Sequence, residues 1–149
     1  MSDSDLINLY SSRILALAAD IPLNNRLAAP QASVKRRSPL CGSTVTVDVV
    51  TENGRITEFG QDVKACALGQ ASASVVGANI IGRSLGEVEK ARDQLKSMLK
   101  ESGPVPDAPF DGLEVLLPAR DYKNRHASIM LALEATAEAL AAAEQVKTA

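Results

Sequence analysis

The clearest pattern in the chain is the alternation in TVTVDVV, residues 44–50. Val45, Val47 and Val49 share one face, and Thr44, Thr46 and Asp48 share the other. A period of two predicts a strand with one apolar face. Asn53-Gly54 follows, the pair preferred in a type I′ hairpin turn. RITEFGQDV, residues 55–63, returns as the partner strand, with an alternation too weak to assign its buried face. Upstream, SVKRRS reads as an edge strand whose cations discourage pairing with another molecule. The three strands form a small antiparallel meander.

Helical periodicity frames this meander. Leu6, Tyr10, Ile14, Leu17 and Ile21 recur at helical spacing, predicting a helix from Asp5 to Ile21, capped by Ser4 or Asp3 and ended by Pro22. CALGQASASVVGANII, residues 66–81, has no charge and is rich in Ala, Ser and Gly. Such small residues suit a helix packed tightly against a sheet, with Gly82 closing it. Ser84 and Glu87 form a capping box for the next helix, whose inward stripe is Val88, Ala91, Leu95 and Met98. SGPVPDAP reads as a loop. A final helix is expected to begin near Arg125, with Ile129, Leu133, Ala137 and Leu140 on one face and an Ala/Glu-rich end that frays. The predicted fold class is α+β, a three-stranded antiparallel sheet with helices packed mainly on one face. No repeat or linker divides residues 1–149, so one domain is expected.

Composition narrows the functional classes. A net charge of −2 gives no electrostatic case for nucleic acid or anionic membrane. The longest apolar run, around ILALAADI, is too short to span a bilayer. The acidic start MSDSDLINLY lacks the basic character of a signal or transit peptide, which favours a cytoplasmic location. There, two cysteines are expected as reduced thiols rather than a disulfide.

Three residues can bind soft or borderline metals: Cys41, Cys66 and His126, the one histidine of the chain. Cys41 lies in the turn entering one strand, and Cys66 follows the returning strand at the start of a helix. The hairpin between them therefore brings the two thiols to the same end of the sheet. His126 falls on the first turn of the last helix. All three are expected to converge there. The helix N-terminus and Lys64 favour thiolate at Cys66, and Gly42 gives Cys41 a mobile backbone. Residue types alone leave a second account open. A free cysteine is commonly a small buried hydrophobe, a lone histidine a capping or surface residue, and no C-x-x-C is present.

The order of motifs adds to this. SPLCGSTVTVDVVTENGRITEFGQDVKACALGQASASVV resembles the iron–sulfur cluster assembly scaffolds of the NifU N-terminal (IscU/SufU-like) family. In that family a C-G-D opens a strand, a hairpin follows, and a second cysteine opens an Ala/Ser-rich helix. CALGQASAS looks closest to the SufU-like branch. LLPARDYKNRHASIMLALEA resembles the third motif, and NLYSSRILALAADIPLNNRL the N-terminal helix. The resemblance covers nearly the whole chain. The third family cysteine falls on Ala127, the aspartate after C-G falls on Ser43, and the segment from Pro118 to His126 is longer than the family pattern.

The resemblance implies a non-enzymatic scaffold binding iron, zinc or a labile iron–sulfur cluster of the two-iron type. Cys41 and Cys66 would be ligands, and His126, matching a histidine before the third cysteine of the IscU branch, the third. A tight cluster or a closed zinc site takes four ligands, so three leave the shell to be completed from outside. Implied partners are a cysteine desulfurase and recipient iron–sulfur proteins, with no nucleic acid or membrane, the protein acting as monomer or homodimer. Two alternatives stay open: a persulfide carrier that accepts sulfur from the desulfurase, and an adaptor that keeps the fold without a cofactor.

Overall fold

The structure, a computed structural model, describes residues 9–148. Its elements in chain order are α1 (Ser12–Ala19), β1 (Ala32–Arg37), β2 (Thr44–Glu52), β3 (Arg55–Lys64), α2 (Ala67–Asn79), α3 (Leu85–Lys100), a 3₁₀ segment (Asp111–Asp121) and α4 (Lys123–Thr148). The strands form one antiparallel sheet in the order β1-β2-β3. This is the α+β fold expected from the sequence.

The alternation in β2 sets the inside of the sheet. Val45, Val47 and Val49 are fully buried, each worth roughly 1.5–3 kcal/mol of apolar burial. Asn53 and Gly54 turn the hairpin with φ of 54° and 77°, the double positive φ of a type I′ turn. The weak pattern of β3 now has a cause. Val63, Gln61 and Phe59 pair with Val45, Val47 and Val49 on the core face. Thr57 is then bulged out, so that Ile56 returns to that face opposite Thr51. Buried Gln61 earns its place by donating to Pro22 O and Ala73 O, both at 3.1 Å. Gly60 lies directly under the chain at Asn25, where a Cβ would come 2.2 Å from a carbonyl oxygen.

Asp48, on the outer face of β2, is also buried. Its carboxylate accepts from Arg26 Nε at 2.7 Å, Arg26 Nη2 at 3.0 Å, the Leu27 N–H at 2.9 Å and the Ser33 hydroxyl. Those bonds fasten the polar connection before β1 against the sheet.

α4 covers the valine face of the sheet, with α2 and α3 packed beside it. Because it is surrounded, it is buried almost all round: Ile129 to Leu133, Ala135, Ala137, Ala139, Leu140 and Ala143 all lie in the core. This burial reaches Ala143, inside the end expected to fray, since Ala is both the best helix former and small enough to pack there, while residues 144–146 are exposed. The helix begins at Lys123, two residues before the expected start. The expected first helix is also revised. Ser11 caps a helix that starts at Ser12, its hydroxyl accepting from Ile14 N at 3.2 Å. The caps foreseen at Asp3 and Ser4, and Leu6, lie outside the described residues. The Ser84–Glu87 capping box and the buried stripe of α3 form as expected. The 3₁₀ segment occupies a stretch that sequence pattern leaves unassigned. Among the described residues no helix is long and apolar enough to cross a membrane.

Candidate functional site

Cys41 sits in the β1–β2 connection. Ser38 N donates to Ser43 O at 2.8 Å and Gly42 N to Ser38 O at 3.0 Å. Gly42 supplies the left-handed φ of +72° that this closed turn requires. The glycine expected to confer mobility thus has a definite conformational task. The turn pushes Cys41 outward and exposed, while Ser38 and Ser43 on either side are buried. Cys41 Sγ lies 3.4 Å from Ser38 Oγ and 3.0 Å from Ser43 Oγ. Side-chain hydrogen bonding with Ser38 and then with Ser43 lowers its pKa from 9.0 to about 7, outweighing partial burial.

Cys66 is the residue immediately before α2, with extended backbone (φ −66°, ψ 168°), and its side chain caps no N–H. It is half-buried and turns toward α4, with Sγ 3.5 Å from Ser128 Oγ. Lys64, expected to act on this thiol, has its ammonium 3.9 Å from the Asp62 carboxylate.

Ser128, on the second turn of α4, links the two halves. It is buried, and its hydroxyl donates to Ser43 Oγ at 3.2 Å. With that proton committed, the Ser128 oxygen is left to accept from the Cys66 thiol. The Ser43 hydroxyl is free to donate to the Cys41 sulfur. The two cysteines are thus joined through the hydroxyls of Ser43 and Ser128 at one end of the sheet.

A glycine makes this approach possible. A Cβ on Gly69 would stand 2.5 Å from Ser128 Oγ and 3.2 Å from Ser128 O, so α2 and α4 meet there at backbone distance. One turn on, Ser72 Oγ donates to Ile129 O at 2.7 Å. Sequence reasoning missed both Gly69 and Ser128. The signal that could have found them is the small-residue series Ser128, Ala132, Ala135 and Ala139 at helical spacing, facing the Gly/Ser/Ala-rich α2.

His126 does not join this group. It is buried, with Nε2 3.0 Å from Ala119 O and 3.1 Å from Arg120 O. Carbonyls only accept, so Nε2 carries the proton and the ring ties α4 to the end of the 3₁₀ segment. Nδ1 is buried without a hydrogen-bond partner. The ring makes no hydrogen bond with either cysteine. Among the described residues, no group of three or more His, Cys, Asp or Glu is placed to hold a metal ion. The expected three-residue convergence is therefore corrected to two thiols and their serines. The reason is helical: residues 126 and 128 differ by about 200° around α4. Ala127 lies between them, and both Ala127 and His126 border a groove with Ser38, Pro39 and Leu40.

The donor set at this end is two thiols and three hydroxyls. It can supply two thiolate ligands to a metal or cluster, half of a tetrahedral set. It can also present one ionised, reachable sulfur.

No protein-family model matches the chain, and no curated protein matches it. Solved structures do. A NifU-like protein (N-terminal) from Brucella abortus is 43% identical, with a TM-score of 0.92 over 95% of this chain and 98% of that one. A protein assigned as an iron–sulfur cluster assembly scaffold of the SUF system, from thermophilic Fervidobacterium islandicum AW-1, shares the fold. It is 19% identical, with a TM-score of 0.80 over 90% of this chain and 98% of that one. By the first likeness, which covers 95% of this chain at 43% identity, the chain belongs to the NifU N-terminal (IscU/SufU-like) family.

Proposed function

We propose that this protein serves iron–sulfur cluster assembly as a non-enzymatic, scaffold-type protein. Its cargo, iron or a labile cluster, binds at Cys41 and Cys66. The observation that carries this reading is the meeting of both motif cysteines through Ser43 and Ser128, in a chain of this family. Two thiolates from the protein leave the remaining metal positions to a small thiol, water or a second subunit. Loading and unloading are then easy, as an intermediate carrier requires. The partners would be a cysteine desulfurase and recipient proteins in the cytoplasm.

Anaerobic reconstitution with ferrous iron and sulfide tests this. Iron, sulfide and visible absorption should appear together on the native protein and be removed readily by chelator. Cys66→Ala should abolish loading. The double substitution Ala127→Cys with Ser43→Asp should slow extraction, because it adds a thiolate and a carboxylate on the Cys41 side. Absence of loading in both native and doubly substituted protein would sink the scaffold reading.

A second reading is favoured by the lowered pKa and exposure of Cys41: sulfur carriage without a resident metal. The Cys41 thiolate would attack the outer sulfur of a desulfurase persulfide. A new S–S bond forms, the old one breaks, and the desulfurase thiolate leaves. Intact mass measurement after incubation with desulfurase and cysteine would show the gain of one sulfur, lost in Cys41→Ser.

A further inference from the structure

Seven of the cations on the described surface, among them Arg26, Arg55, Arg83, Lys90 and Arg92, face a carboxylate within 4.0 Å. Beside Cys41 this ceases. A groove of about 430 Å³ runs from the Ser38–Leu40 turn over the outer sides of α3 and α4. Arg37, Lys96, Lys100 and Lys123 line it, all exposed. Among the described residues none of these four is within ion-pair distance of a carboxylate. The acidic side chain in the lining, Glu134, lies 3.9 Å from Arg36, whose guanidinium also meets Glu138 at 3.2 Å. Four positive charges without an ion-pair partner among the described residues thus collect in one groove of a protein whose net charge is −2. Such a concentration raises the local potential and steers an oppositely charged partner.

Two more features decide the class of partner. Leu40, at the rim and next to Cys41 in the chain, is 73% exposed, the most exposed large hydrophobic residue among those described. His126 is the one aromatic ring in the lining, and it is buried with Nε2 hydrogen-bonded to Ala119 O and Arg120 O. The groove therefore presents no exposed aromatic face for nucleic-acid bases. The combination of a cationic floor with an apolar rim is complementary to a peptide carrying both carboxylates and an apolar side chain. We propose that this groove docks an acidic, leucine-bearing segment of a partner protein, placing that partner next to the Cys41 thiol. The proposal adds a docking surface to the reading above and rests on it only for the partner's purpose.

The test separates docking from cargo by using the full chain with Cys41→Ser and Cys66→Ser, which can neither load iron nor accept sulfur. Fluorescence anisotropy would follow a fluorescein-labelled peptide of alternating Glu and Leu. Saturable binding is expected, weakening as salt rises. The pair Lys100→Glu and Lys123→Glu should weaken it by about tenfold or more, whereas Lys100→Arg with Lys123→Arg should leave it close to native. Leu40→Ser should weaken it by a smaller factor. Because these side chains are exposed, the variants should fold, which circular dichroism checks. Absence of saturable binding, or equal affinity after charge reversal, overturns the proposal. So does equal binding of the peptide with Lys in place of Glu. Displacement by low inorganic phosphate would make the groove a small-anion site, and equal binding of oligothymidylate a nucleic-acid surface. Signal that tracks self-association of the protein would assign the groove to a second copy. Each of these also overturns the docking of an acidic peptide. A failure here leaves the cysteine chemistry untouched, since reconstitution is measured on the native thiols.

Discussion

At the hairpin end of the sheet, polar groups answer one another. Arg55 reaches Glu87 at 2.9 Å and Gly82 O at 2.8 Å, Arg83 meets the same carboxylate at 3.0 Å, and Ser84 and Glu87 cap α3 reciprocally. At the opposite end the same kinds of residue are left available. Cys41 is exposed, its neighbours Arg37 and Lys100 face no carboxylate within ion-pair distance, and Leu40 stands in solvent. Both ends are braced underneath, through the capping box at one and Gly69 against Ser128 at the other. What distinguishes them is where hydrogen-bonding and charge capacity is spent. At the hairpin it is consumed holding α3 to the sheet. At the cysteine end part of it is directed at a sulfur, and the rest is presented outward.

Two glycines sharpen that comparison with the largest expected effects. Gly69→Ala would put a methyl 2.5 Å from Ser128 Oγ and 2.9 Å from Ala65 Cβ. Forcing α2 from α4 should cost about 1–3 kcal/mol and break the Ser128 bridge between the cysteines. Gly86, in α3 near the hairpin, has open space around its missing Cβ. Gly86→Ala should stabilise by roughly 0.5–1 kcal/mol through helix propensity alone. Urea unfolding of the two variants gives both signs, and matching signs would show that the tight approach at Ser128 is not a constraint.

Next in size is Glu87→Ala. It removes the return half of the capping box and both arginine contacts, for about 1 kcal/mol. Burial pushes the Glu87 carboxyl up, but the Ser84 N–H and the Arg55 and Arg83 guanidinium groups hold it below its ordinary value. A depressed carboxylate contributes stability above its unfolded pKa and loses it as pH falls through the folded one. The gap between native and variant stability should therefore be full at neutral pH and narrow in acid. Thiol chemistry at the far end should be unchanged. An altered Cys41 alkylation rate in this variant would show that the two ends are coupled.

Much of this was legible in sequence where a local rule and the tertiary environment agree. Val45, Val47 and Val49 face a core, Asn53-Gly54 turns, and Ser84-x-x-Glu87 caps, because each depends on near neighbours. β3 was obscure because Gln61 is buried by hydrogen-bonding to Pro22 and Ala73, and Gly60 by the chain crossing at Asn25. Both causes are distant in sequence. The 3₁₀ segment carries Pro118 inside it and shows no helical period. At the site, the cysteines were found by motif and by hairpin logic. His126 has the chemistry of a metal ligand, yet the helix turns it toward Ala119 and Arg120. Ser128 occupies the bridging position because a residue there must be small enough to meet Gly69 and polar enough to satisfy Ser43. No chemical scan for metal ligands selects a serine.

The smallest effect on stability, and the most specific on chemistry, should come from Ser38→Ala. The Cys41 thiol ionises near 7 because the Ser38 hydroxyl, more than any other group, stabilises its charge, with Ser43 next. Removing that hydroxyl should move the ionisation back toward 9.0. The sign follows from linkage: a thiol whose folded pKa lies below its unfolded value favours the fold above the unfolded pKa. That contribution is lost as pH falls through about 7. Since Cys41 is exposed, the effect belongs in reactivity rather than in melting. Iodoacetamide labelling of Cys41, read by peptide mass against pH, should rise with a midpoint near 7 in the native protein. The midpoint should be clearly higher in Ser38→Ala, so that labelling at neutral pH slows several-fold. Ser43→Ala should shift it less, and Glu87→Ala should not shift it. An unmoved midpoint in Ser38→Ala would mean that the turn itself, and not its serines, activates the thiol. The contrast between a satisfied end and an available end would then rest on the charges alone.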